Sequence, residues 1–145
     1  MPDDRQTKAL TKLHYLQRLQ ALSAQQQAAQ AQAAATAIGQ QIAGLDRRVT
    51  AEAAALADYR DAAAMGRWAD LMDHRRGGLL HRQAEAQQHA DRLAIKAATA
   101  RLTVEQHGEL LRHLREQLRI EERRVATRKE WEIAAAKPGP DCDEP

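Results

Sequence analysis

Apolar positions recur along this chain in steps of three and four, the spacing that returns side chains to one face of an α-helix. In the first half, Ala21, Ala24, Ala28, Ala31, Ala35, Ile38, Ile42, Leu45, Val49, Glu52, Leu56 and Tyr59 obey the rule, and only Glu52 is charged. In the second half, Leu79, Gln83, Ala86, Ala90, Leu93, Ala97, Ala100, Val104, His107, Leu111, Leu114, Leu118, Glu121 and Val125 do the same. A stripe kept up through more than four heptads is the a/d seam of a coiled coil. Asp3 and Asp4 offer cap chemistry for a helix starting near Arg5 to Thr7. No proline follows until Pro138, where Pro138-Gly139-Pro140 stops all helix. The pattern therefore predicts an all-α fold, a long two-helix antiparallel coiled-coil hairpin over residues 1–136. Helix one spans about 5–64, a turn about 65–69 and helix two about 70–136, with a disordered tail at 137–145. Each helix holds roughly 60 residues, or about 90 Å at 1.5 Å per residue.

Folding back near Met65-Gly66 sets residue i against residue 131 or 132 minus i. Tyr59 then faces Met72, Ile42 faces Ala90, Ile38 faces Leu93, Ala35 faces Ala97, Ala31 faces Ala100 and Ala28 faces Val104. The match repeats every seven residues, so it supports the pairing without fixing the tip. Gly66 as a C-cap and Asp70 as an early-turn acid place the turn at 65–69. Two irregularities stand out. Leu10, Leu13, Leu16, Leu19 and Leu22 recur every three residues, so their stripe winds around the helix beyond the reach of one partner. Either the C-terminal segment covers part of it or the leucines form a docking surface. Gly77-Gly78 costs about 1 kcal/mol per residue relative to Ala in a helix, which predicts a kink, or a separate short helix over 67–76.

Composition reinforces this picture. Hydrophobic residues make up 43% of the 145, but most are Ala and Leu, Phe is absent and aromatics reach only 3%. Large side chains that could fill a globular interior are scarce, whereas Ala, Leu, Gln, Arg and Glu lose little side-chain freedom in a helix. The net charge of +2, from 22 basic and 20 acidic residues, gives no bulk attraction for nucleic acid. A single cysteine, Cys142, cannot form an internal disulfide, and no apolar run approaches a membrane span, so a cytoplasmic location is expected.

No catalytic or metal chemistry is predicted. The six histidines, His14, His74, His81, His89, His107 and His113, include no pair four residues apart, so the two-histidine metal face of a helix is missing. His107 falls on the seam, where a tolerated core histidine is the simpler reading. Ser23 is the single serine, no glycine-rich phosphate loop occurs, and carboxylates along paired helices lack a concave pocket to work in. Neither enzyme activity nor a cofactor is expected. Glu52 and Arg76, polar residues in adjacent seam layers, suit an interhelical ion pair that sets register.

Two segments carry interaction chemistry. Arg112, Arg115, Arg119, Arg123, Arg124, Arg128 and Lys129 are interleaved with Glu116, Glu121 and Glu122, a pattern open to two readings. One is a solvated face laced with helical salt bridges; the other is a positive stripe that docks an acidic protein surface. Trp68, Leu71 and Met72 cluster just after the expected turn, where Trp68 either plugs the end of the hairpin or anchors a partner.

Tyr59 before the turn, Gly66-Arg67-Trp68 after it and the Arg/Glu-rich final helix give the chain a resemblance to the FliJ family, up to about Ala136. FliJ proteins are general chaperones and central-stalk components of the flagellar type III export apparatus. The resemblance implies a hairpin similar to the gamma stalk of rotary ATPases, located in the cytoplasm and peripheral to the inner membrane through its partners. Its terminal helical ends would enter the ring of the export ATPase, its tip would meet the export-gate membrane protein, and export chaperones would bind as well. Carried over, Leu13, Leu16 and Leu19 with Arg112, Arg115, Arg119, Arg123 and Arg124 form the ATPase-binding end, and Trp68, Leu71 and Met72 the gate-binding end. The chain departs from the family where Leu71 and His74 replace aromatics after the tryptophan, where Glu130-Trp131-Glu132 replaces an Asp-Glu ending, and in a shorter loop before the tryptophan. A structural or tethering coiled coil, dimeric or not, is the alternative, and a nucleic-acid-binding helix pair a third.

Overall fold

Asp3 starts the first helix. Its Oδ1 accepts the Arg5 backbone N–H at 3.2 Å and its carbonyl accepts the Thr7 N–H at 3.1 Å. The side-chain bond satisfies an N–H that a helix start would leave without a partner, and the carbonyl bond is the first of the helix itself. Asp61 does the same for the second helix, taking the Ala64 N–H on Oδ1 at 3.0 Å and the Met65 N–H on its carbonyl at 3.1 Å. In the computed structural model, which describes residues 3–58, 61–137 and 139, helix α1 runs Asp4–Ala55 and helix α2 runs Ala62–Ala136. The two pack against each other as an all-α antiparallel hairpin, with no strand among the described residues.

The predicted seam is the observed one. Every α1 seam position from Ala21 to Leu56, and every α2 seam position from Leu79 to Glu121, is buried or half-buried. Ala35, Ile42, Ala90 and Leu111 are the most enclosed apolar residues. Val125 departs from the expectation at 51% exposed, because α1 begins too late to reach it. Tyr59 and its pairing with Met72 lie outside the described residues, as does the tail apart from Lys137 and Gly139.

The turn and the register differ from expectation. Residues 65–69 lie inside α2, and the chain reverses between Ala55 and Ala62. Gly66 is an ordinary exposed helical residue with open space around it, and the Asp61 cap decides where α2 begins. Contacts divide the chain into two units, Leu19–Leu102 (the turn unit) and Met1–Arg18 with Thr103–Pro145 (the terminal unit). In the turn unit, Gln32 and Gln87 exchange amide hydrogen bonds at 3.2 and 3.5 Å, Arg76 pairs with Asp46 at 2.9 Å, and the Trp68 indole donates to Glu52 at 3.0 Å. In the terminal unit, His14 Nε2 lies 3.2 Å from the Val104 carbonyl, His107 Nδ1 lies 2.5 Å from Gln17 Oε1, and Arg115 donates to Thr11 Oγ1 at 3.2 Å.

Residue numbers in these pairs total between 118, for His14 with Val104, and 126, for Thr11 with Arg115. That is about ten below the expected 131 or 132, or one heptad plus the three-residue step between seam rows. The physical reason is that Cβ vectors lean toward the N-terminus of each helix, so reversing one helix interchanges the rows spaced by three and by four. Pairing like rows, as in Ile42 with Ala90, therefore misplaces the match. The expected Glu52–Arg76 ion pair is also replaced. Arg76 bonds Asp46, while Glu52 takes the Trp68 indole N–H and Arg48 at 3.5 Å. Gly77-Gly78 does not divide α2, which runs through both without a positive φ, and no separate helix forms over 67–76.

Candidate partner-binding surfaces

The Thr11–Arg115 bond marks one flank of the seam in the terminal unit. Arg112, Arg115, Arg119 and Arg123 follow one another at steps of three and four, so they share that side of α2, and all four are exposed. Lys8, Tyr15 and Arg18 share the Thr11 side of α1 by the same spacing and are exposed as well. Lys8 is held above its ordinary pKa of 10.5, first by its hydrogen bond to Asp4 at 2.7 Å and then by the Asp4 charge. Arg119 lies 3.5 Å from Glu116. The salt-bridge reading of the arginine run is met at Arg119–Glu116, and the exposed arginines leave a basic side on α2.

The expected ATPase-binding residues are not brought together. Leu13 and Leu16, at 44% and 54% exposed, fall on the opposite flank, and so does Arg124, which repeats the row of Leu110 and Gln117. Leu19 belongs to the turn unit and is 46% exposed. The C-terminal segment does not cover the leucine stripe; of its members only Leu10 is half-buried.

Beyond Glu121 the α2 helix has no α1 residue beside it, and every described residue from Glu122 to Lys137 is exposed. Two open grooves follow this stretch, one between Ile120, Arg124 and Trp131, the other between Leu118, Val125 and Lys129. Trp131 and Ile133, 73% and 63% exposed, are candidate contact residues that the heptad reading passes over. The signal that could have found them is a seam in α2 longer than the α1 available to cover it.

In the turn unit, Trp68 is half-buried and its indole is committed to Glu52, Met72 is half-buried on the seam, and only Leu71 stands out, at 47% exposed. Of the two roles open to Trp68, the geometry favours closing the hairpin near its turn. Among the described residues, no group of three or more His, Cys, Asp or Glu side chains is placed to hold a metal ion, and no helix is long and apolar enough to cross a membrane. Compared with known proteins, the chain matches no family model, no curated sequence and no solved structure.

Proposed function

We propose that this chain is a protein-binding adaptor of the FliJ type, a helical hairpin whose terminal unit docks on the export ATPase and so couples ATPase assembly to secretion. The supporting observation is the basic flank, where Arg112, Arg115, Arg119 and Arg123 lie on successive turns of α2 with Lys8 and Arg18 on the same side of α1. Long guanidinium side chains on a rigid helix suit carboxylates on a partner's helix, and such a surface governs encounter rate and orientation more than total affinity. A tip contact with the export-gate membrane protein rests on Leu71, the member of its trio left outside the hairpin's own packing.

Capture of the export ATPase by the purified chain is the test. Arg119→Glu with Arg123→Glu is expected to reduce retention at least tenfold and to steepen its loss with salt, while helicity stays unchanged. Retention unaffected by this double reversal would remove the basic flank from the interface. Failure of the unaltered chain to hold the ATPase at low salt would remove the reading itself.

A further inference from the structure

The N-terminal segment of α1 packs the wrong way round for an isolated hairpin. Its inward positions are Thr7, 8% exposed, and the half-buried Thr11, His14 and Gln17, with Leu10 as the apolar exception. Outward stand Leu13 and Leu16, and on the same flank of α2 stand Leu110 and Ile120, at 48% and 40% exposed. The spacing places these four on one side: Gln6, Ala9, Leu13 and Leu16 step by three and four along α1, as do Leu110, His113, Gln117 and Ile120 along α2. This side lies across the seam from the Thr11–Arg115 bond. A helix that turns leucine outward and threonine, histidine and glutamine inward leaves its larger hydrophobic gain unrealised until another surface covers it.

Charge identifies the occupant. In a chain with 29% charged residues, this flank carries no carboxylate and one formal charge, Arg124, near its end. A two-fold contact sets a patch against its own copy, so a patch with a large net charge opposes itself, whereas a nearly neutral apolar face meets its copy without that repulsion. At the edges stand charges of both signs, Lys12, Glu109 and Glu116, the polar rim expected around an apolar patch. We infer that this leucine-lined flank of the terminal unit is a self-association face, on which two copies of the chain pair through a two-fold axis. Helix dimensions give it roughly 500 Å² per copy, at the lower edge of specific interfaces. A dimer built on so small a contact is expected to be reversible. The inference does not rest on the export reading, because pairing here leaves the basic flank outward.

Sedimentation equilibrium of the full chain across a wide concentration range tests it. A monomer–dimer equilibrium that persists or tightens at high salt is expected, since no ion pair lies at its centre. Leu16→Glu and Leu110→Glu, both at exposed positions, should each weaken it at least tenfold with the circular dichroism spectrum retained. Leu16→Gln replaces the first variant if helicity falls. Leu102→Glu, at an equally exposed leucine (54%) outside this flank, should leave association unchanged. A chain that stays monomeric throughout, or association that Leu102→Glu weakens as much as the other two, would overturn the proposal. The first result would leave the flank to a different protein, and the second would mean nonspecific stickiness.

Discussion

At the scale of single residues, polar groups decide what the apolar pattern leaves open. Trp68 is the clearest case. Its ring closes on the hairpin and its indole N–H reaches the Glu52 carboxylate at 3.0 Å. Trp68→Phe keeps most of the apolar area and removes the donor, so urea denaturation should register a loss of about 1 kcal/mol. The same substitution in a Glu52→Gln background should cost less, because the charged acceptor is already gone. Gly39 and Gly108 form a second case. A Cβ on Gly39 would stand 2.9 Å from Gln83 Nε2, and one on Gly108 would stand 3.2 Å from His14 Nε2. Gly39→Ala meets only the end of a flexible side chain and is expected to be neutral or mildly stabilising. Gly108→Ala pushes on the ring that bonds the Val104 carbonyl and should be the less favourable of the two in thermal melts. Lys8 shows a pH effect with a definite sign. Its raised pKa means that the tie to Asp4 is intact below the ordinary 10.5 and fades as pH climbs through the raised value. Alkaline melts of the unaltered chain should show a small decline that Lys8→Met lacks.

At the scale of elements, the a/d rows could be read from sequence and their pairing could not. Residues from Ala21 to Leu56 and from Leu79 to Glu121 show burial that follows the three-four rhythm, because only one face of each helix meets the other. Register escaped because a seven-residue repeat is nearly as well matched after sliding, and alanine layers distinguish poorly between alternatives. What settles it is a handful of polar pairs, Asp46–Arg76, Gln32–Gln87 and Glu52–Trp68, with a helix start fixed by Asp61. None of these is a hydrophobic signal. Asp61→Ala should cost about 1 kcal/mol by removing the cap. Exchanging the partners, Asp46→Arg with Arg76→Asp, should recover most of what either single change loses; both groups are about half exposed, so the coupling stays below about 1 kcal/mol. Gly77 and Gly78 are helical with open space where a Cβ would go. Replacing each with Ala should therefore stabilise α2 by about 1 kcal/mol, measured by the same denaturation.

At the scale of the whole molecule, exposed apolar and basic side chains are distributed differently from what residue type alone suggests. Leucines and arginines of the terminal segments look like one docking end in sequence, yet the seam separates them into a neutral flank and a basic flank. That separation depends on register and could not be seen before it was known. Amide exchange should be fastest, among helical residues, in 122–136, where a lone helix of about four turns is marginal in water. The alanine seam has a thermodynamic consequence of its own. Among the described residues, two of the four buried apolar ones are alanines, so unfolding newly wets little hydrocarbon. The heat-capacity increment per residue should fall below the usual ~12–15 cal/mol/K. Its free-energy curve would then be shallow, with a broad calorimetric peak on heating and little weakening near freezing.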